Sequence, residues 1–315
     1  MTEHLVTHQA NGEPLMWRGR FAPSPSGRLH FGSLVAALAS YLEARSRNGE
    51  WLLRIEDLDP PREQPGAADD ILTTLEHFHL HWDGSVLYQS QRHQRYEEVL
   101  QQLAAQQQIY ACDCTRKRIK EAGGLYPGLC RSRHLALDSA NTSIRLKIDK
   151  PMTSFKDRIQ GEVSVSAPIA AEDFIIRRKD GLFAYQLAVV VDDIDSQINH
   201  VVRGADLLDS TPRQLQLYHL LDANQPDYFH VPLASNVDGS KFSKQNFATA
   251  IDPEQASSQL TNALIFLNHP PPTELHNASC EQLLTWAQTN WNHQNVTASY
   301  SQTVDSSGKR LPNKQ

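Results

Sequence analysis

Between Trp17 and Asp59 the sequence reads as strand, broken loop, helix, strand, and this order limits the fold more than any other feature of the chain. Trp17 to Ala22 is short and strand-like. It runs into Pro23 to Arg28 (PSPSGR), where two prolines and a glycine can continue neither a strand nor a helix. From Ser33 the run LVAALASYLEARSR combines strong helix formers with apolar residues every three or four positions, and Asn48 and Gly49 supply the stop. WLLRIEDLD, Trp51 to Asp59, then reads as a buried strand ending in carboxylates, closed by a double proline. A chain that begins this way is of mixed α and β character.

Helical patterns return at Ala67 to His79 and at Gln91 to Gln108. A cysteine-containing stretch with Gly123, Gly124, Pro127 and Gly128 then interrupts them, as an inserted module would. Ile144 to Ile148 and Gly161 to Val165 look like strands. For FAYQLAVVVDD, Phe183 to Asp193, a buried strand and a buried helix fit equally well. Helical patterns resume at Gln255 to Leu267 and Cys280 to Trp291, on either side of a proline hinge at Pro270 to Pro272. The last fifteen residues are polar and expected to be mobile. No repeat of fixed period is present, which sets aside solenoids and propellers.

At 315 residues the chain has room for about two domains of roughly 150 residues each. Its longest apolar stretch, Phe31 to Leu42, falls short of the ~20 residues that a membrane-spanning helix requires. The start of the chain lacks the basic segment and apolar core of a secretory signal, so no membrane association and a cytoplasmic location are expected. A net charge of −6 argues against a broad surface for coating nucleic acid. The tracts Arg116 to Lys120 (RKRIK), Arg131 to Arg133 and Arg177 to Lys179 are the best sites for local phosphate contact, and fit ordinary solvated faces equally well. Of four cysteines, Cys112, Cys114 and Cys130 cluster while Cys280 stands alone, a spacing that suggests metal in a reducing compartment.

Two segments carry chemistry. In RFAPSPSGRLHFGS, Arg20 to Ser33, a strand delivers a glycine-punctuated loop to a helix start, where unpaired amides and the helix dipole favour an anion. His30, just before that start, is placed to hydrogen-bond a phosphate oxygen, and Gly32 lets a flat base approach the backbone. An ordinary capped helix fits the spacing equally well. In GSKFSKQ, Gly239 to Gln245, Lys241 and Lys244 can set two ammonium groups on a polyphosphate. Alone, that loop reads better as a solvated lysine pair.

Together, HFGS (His30 to Ser33) and KFSKQ (Lys241 to Gln245) resemble the HIGH and KMSKS signatures of class I aminoacyl-tRNA synthetases. RFAPSPSG, LLRIEDLD, FAYQLAVVVDD and VVRGADLL also occur in the order found in the catalytic domain of glutamyl-tRNA synthetases. The likeness spans roughly Arg18 to Ala250. It implies an α/β fold: a Rossmann-like catalytic domain (18–90 and 181–250) that condenses L-glutamate with ATP and Mg²⁺. An N-terminal extension (1–17) precedes it, and a zinc-containing, acceptor-binding-like module (91–180) is inserted. A helical stem-contact-like region (251–299) and a mobile tail (300–315) follow.

Carried over by position, Arg20, Ala22 and Ser24 line the amino-acid pocket, Glu56 pairs with the substrate ammonium, and Tyr185 and Arg203 contact the side chain. His30, Gly32, Lys241 and Lys244 fall on the ATP site, with His30, Lys244 and Lys241 supporting adenylate formation. Glutamate's two carboxylates and one ammonium call for two arginines and one acid.

The departures are HFGS for HIGH, Gln245 for the final serine, and Val189 where a pocket asparagine is usual in the family. Seventy residues follow Gln245, and no anticodon-binding domain is expected in that length. In this the chain resembles the truncated paralogues of the family. That likeness implies that glutamate goes to queuosine in the anticodon of tRNA(Asp) and not to the 3′ end, by a chain expected to be monomeric. A non-catalytic RNA-binding module and a ligase acting on a carrier protein or small molecule are the alternatives. For the fourth zinc ligand beside Cys112, Cys114 and Cys130, Asp113, Tyr126 and His134 are at hand. General metal chemistry favours His134, because a phenol must lose its proton to ligate; the family likeness points to Tyr126.

Overall fold

The computed structural model describes residues 16–236, 250–275, 277–305 and 307–311. Lys241, Lys244 and Gln245 lie outside the described residues. The centre is a five-stranded sheet in the spatial order Asp227–Val231, His200–Gly204, Arg18–Phe21, Glu50–Ile55 and Leu87–Tyr88, every neighbouring pair parallel. Parallel sheets need cover on both faces, and the sequence supplies it. Helix Phe31–Arg45 lays Leu34, Leu38 and Leu42 against Phe21, Trp51, Leu53 and Ile55. Trp51, fully buried, donates its indole N–H to the Ser40 hydroxyl at 2.9 Å. The turn back into the sheet uses Asn48 in the left-handed region (φ 55°). It also needs Gly49, where a Cβ would sit 2.2 Å from the Trp17 carbonyl oxygen.

The opposite face carries helices Tyr185–Asp195 and Thr211–Leu220. The apolar run around Phe183 to Asp193 is therefore a helix, and its lack of an amphipathic period has a physical cause. Asp193 reaches the sheet, while Leu187, Val189, Val190 and Val191 belong to a second core with Tyr96, Ile109, Leu146 and Phe174. Helices Ala67–His77 and His93–Ala105 lie within the expected spans. Strands His200–Gly204 and Asp227–Val231 and helix Thr211–Leu220 were not foreseen from the sequence.

Within the expected insert, Ile109–Cys112, Ser143–Leu146 and Ile175–Arg177 form an antiparallel sheet, and the basic tract forms helix Arg116–Glu121. The hairpin Ser154–Asp157/Gly161–Ser164, inside the same span, sits instead along the edge of the central sheet. There the Arg158 amide donates to the Tyr228 carbonyl at 2.8 Å, and the Arg158 guanidinium pairs with Asp227.

Helices Ala256–Phe266 and Cys280–Asn290 pack on helix Phe31–Arg45, where buried Glu43 accepts from Trp291 Nε1 at 2.6 Å. The expectation of a mobile tail is corrected: Ser301–Thr303 pairs in parallel with Leu233–Ser235. The polar composition had concealed an alternation in which Gln302 and Val304 point inward. Beyond it Gly308 lies flat on the Phe31 ring, so close that a Cβ would be 2.4 Å from Cδ2. Among the described residues no helix is long and apolar enough to cross a membrane.

Candidate active site

The order of the central sheet reverses at Arg18–Phe21: the next two strands in the chain lie to one side, the last two to the other. In open α/β sheets the ligand crevice lies outside the carboxyl ends of the strands at such a switch point. The loop Ala22 to Leu29 leaves the first strand there, Arg203 lies one residue before the end of the strand beside it, Glu56 follows the strand on the other side, and Tyr185 opens the covering helix. The Glu56 amide donates to the Pro23 carbonyl at 3.0 Å, tying the acid to that loop. Ala22 is half-buried and Ser24 exposed.

His30 is itself the helix cap. Its backbone is extended (φ −118°, ψ 173°), and Nδ1 accepts from the Ser33 amide at 3.3 Å. Gly32 is the second residue of the helix. Ala250, which follows the lysine segment in the chain, bridges His30 in antiparallel fashion, and the Ile251 amide donates to the Leu29 carbonyl at 3.0 Å.

Arg20 was expected to grip a substrate carboxylate, and the structure places its fork elsewhere. Nε and Nη2 bind the two carboxylate oxygens of Asp193 at 3.0 and 3.2 Å, leaving Nη1 with no hydrogen-bond partner among the described residues. Arg54 Nη2 reaches the same Asp193 at 2.8 Å, with its Nε 3.8 Å from Glu56. Arg20, Arg54 and Asp193 are all at most 4% exposed. Burial disfavours ionisation of Asp193, yet Arg20 and Arg54 together hold its carboxyl below the usual range. Glu56 goes the other way: burial lifts it to about 7, against the pull of Arg54 and Arg20. Asp192, next in the chain, faces away from this layer and binds Gln89, Tyr96 and Arg92.

Arg203 stands in contrast. It is 5% exposed, and no carboxylate lies within 4 Å of it among the described residues. Its Nε donates to His230 Nε2 at 3.0 Å, its Nη2 to the Thr211 hydroxyl at 2.9 Å, and its Nη1 reaches the Tyr185 hydroxyl at 3.5 Å. The guanidinium carbon sits 5.0 Å over the Tyr228 ring. Sequence reasoning missed Arg54, Asp193, His230 and Thr211. The Asp-Asp pair closing an apolar run was the one local signal.

A second cluster forms in the insert. The sulfurs of Cys112, Cys114 and Cys130 lie within 4.8 Å of one another, all three are buried, and none is in a disulfide. Zinc–sulfur bonds of ~2.3 Å in a tetrahedron put sulfurs about 3.8 Å apart, so the donor set suits zinc. Among the described residues no His, Asp or Glu completes the cluster; His134 is exposed. Tyr126 is 3% exposed, accepts from the Cys130 amide at 2.8 Å, and lies under the Arg145 guanidinium at 3.7 Å. Burial opposes ionisation of Cys112, but hydrogen bonding to Tyr126 and the Cys114 amide draws it down to about 7.

A class I synthetase catalytic domain is what this crevice and sheet define. The family of tRNA synthetases class I (E and Q), catalytic domain, matches residues 16–269, and the chain belongs to it. Its curated relatives carry a narrower name. Glutamyl-Q tRNA(Asp) synthetase of Vibrio vulnificus is 54% identical over 87% of this chain and 89% of its own length. That of Photobacterium profundum is 55% identical over 87% of both, and that of Serratia proteamaculans 54% over 88% and 91%. The chain falls within this group. Among solved structures, a glutamate-tRNA synthetase from Elizabethkingia anophelis superposes with a TM-score of 0.76 at 23% identity, over 93% of this chain and 69% of that one. A glutamate tRNA ligase from Elizabethkingia meningosepticum gives 0.77 over 93% and 68%. At that identity the two establish the fold alone.

Proposed function

We propose that the protein is a ligase that activates L-glutamate with ATP and transfers it to queuosine in the anticodon loop of tRNA(Asp). The observation that carries the glutamate reading is Arg203, a buried cation with no acid partner among the described residues, whose Nη1 edge meets the Tyr185 hydroxyl in the switch-point crevice. A buried charge needs compensation, and the side-chain carboxylate of glutamate supplies it. Glu56 receives the ammonium, and Arg20 contributes its charge and the Nη1 edge that Asp193 leaves over. The α-carboxylate is then directed at the start of the helix that His30 caps. The ATP phosphates, arriving with Mg²⁺, meet the remaining free amides there. An α-carboxylate oxygen attacks the α-phosphorus in line and pyrophosphate leaves. No covalent protein nucleophile is required, only orientation and charge stabilisation by His30, Lys244 and Lys241.

In the second step a hydroxyl of the queuosine diol attacks the adenylate carbonyl, AMP leaves, and the hydroxyl proton passes to solvent. The names of the relatives support this acceptor, and a base in a single-stranded loop can be splayed out of its stack for recognition. Cys112, Cys114, Cys130 and Tyr126 are the residues that would hold a zinc ion, whose part is to order the insert. The test offers labelled glutamate and ATP to tRNA(Asp) with and without queuosine, and to tRNA whose 3′ diol was oxidised before queuosine was installed. Label that depends on queuosine and survives the 3′ oxidation is expected. Label that needs an intact 3′ end and ignores the anticodon base refutes the acceptor.

A further inference from the structure

We propose that Asp157 and His230 form a positioning relay for Arg203, in which the carboxylate sets the imidazole tautomer and the imidazole orients the guanidinium without neutralising it. The inference rests on the reading of Arg203 as the contact for the glutamate side chain. Both relay side chains are wholly buried, at 0% exposure. Asp157, at the end of strand Ser154–Asp157, accepts from the Ile159 and Gln160 amides at 2.9 and 2.8 Å and from the His230 amide at 3.2 Å. It lies 2.6 Å from His230 Nδ1.

A carboxylate so provided with donors is an acceptor only. Nδ1 must therefore carry the proton, which leaves the lone pair of Nε2 facing Arg203 Nε at 3.0 Å. Thr211 holds Nη2, and the Tyr228 ring lies nearly parallel to His230 (12°) and under the guanidinium. Two of the three nitrogens of Arg203 are thus fixed by neutral groups, and Nη1 is left for the pocket. A carboxylate in the place of His230 would compete with the substrate; a neutral acceptor does not.

The test measures glutamate-dependent ATP–pyrophosphate exchange by the full chain, with KM for glutamate, KM for ATP and kcat resolved. Asp157→Asn presents an amide N–H to Nδ1 and favours the other tautomer, turning an N–H toward Arg203. It should raise the glutamate KM about tenfold or more and leave the ATP KM within about twofold. His230→Gln keeps an acceptor oxygen near the place of Nε2 and should stay within about threefold of wild type, whereas His230→Leu should match Asp157→Asn. Equal damage from Gln and Leu, or an ATP KM that moves with that of glutamate, overturns the relay. ¹⁵N shifts of the His230 ring in the wild-type protein decide the matter without a variant: protonation at Nδ1 is expected, and at Nε2 sinks it. Arg203→Ala run alongside separates the two failures. If it leaves the glutamate KM unchanged, the pocket reading falls. If it raises that KM while Asp157→Asn does not, only the relay falls.

Discussion

At the residue scale the site depends on how differently two carboxylates are treated a few ångströms apart. Asp193 is held ionised between two guanidinium groups, while Glu56, reached by Arg54 only at 3.8 Å, is lifted by burial to about 7. An acid raised in the folded state releases its proton reluctantly there. Below about pH 7 the carboxyl is neutral and cannot pair with the substrate ammonium, so kcat/KM for glutamate should fall up to about tenfold per pH unit as pH drops. In Glu56→Gln that limb should disappear along with most of the activity. The same shift has the opposite sign for stability. The cost of ionising Glu56 in the fold is absent below the unfolded value and fully present above about 7, so Glu56→Gln should raise Tm at pH 8 and leave it nearly unchanged at pH 4. Arg20, Glu56 and Arg203 stand out in the sequence because each sits in a motif. His230 and Asp157 do not, because strands far apart in the chain bring them together and nothing local marks them.

At the scale of elements, a helix with one solvent face is the most legible in the sequence, as at His93–Ala105, whose Tyr96, Val99, Leu100 and Leu103 point inward. Tyr185–Asp195, covered on both sides, fits a strand as well as a helix by its residues alone, and the strand Ser301–Thr303 is hidden because its inward residues include a glutamine. That strand leads to Gly308, at φ 82° against the Phe31 ring. Gly308→Ala should cost about 1–3 kcal/mol by urea unfolding, through overpacking and a strained φ. Because Phe31 adjoins His30, the ATP KM should rise as well. The cysteine cluster is a separate element of order. One zinc per chain is expected by elemental analysis, with Tyr126→Phe lowering its retention and His134→Ala not. Chelation should speed amide exchange in Ile109–Cys112 and Ser143–Leu146 and leave Trp51 to Ile55 protected.

For the whole molecule, a net charge of −6 means that RNA affinity has to come from few contacts. The exposed helix Arg116–Glu121 is where positive charge collects, with the Lys117 side chain 85% exposed. Reversing Lys117 and Lys120 to glutamate should weaken tRNA binding and reduce its salt slope by about one per lost phosphate contact, leaving pyrophosphate exchange as it was. The sheet also fixes an order of assembly. Arg20 and Arg203 lie on neighbouring strands, yet Arg18 and Asn199, which join those strands through a hydrogen bond, are 181 positions apart. The cysteine module lies within that loop. Its own antiparallel pairs are shorter in range and can form before the loop closes. Refolding should therefore return amide protection to the module first and glutamate activation last, in the slowest phase; simultaneous recovery would contradict this. Seen as kinetics, the pocket is an event before it is a place: it comes into being only when the two ends of a long loop meet.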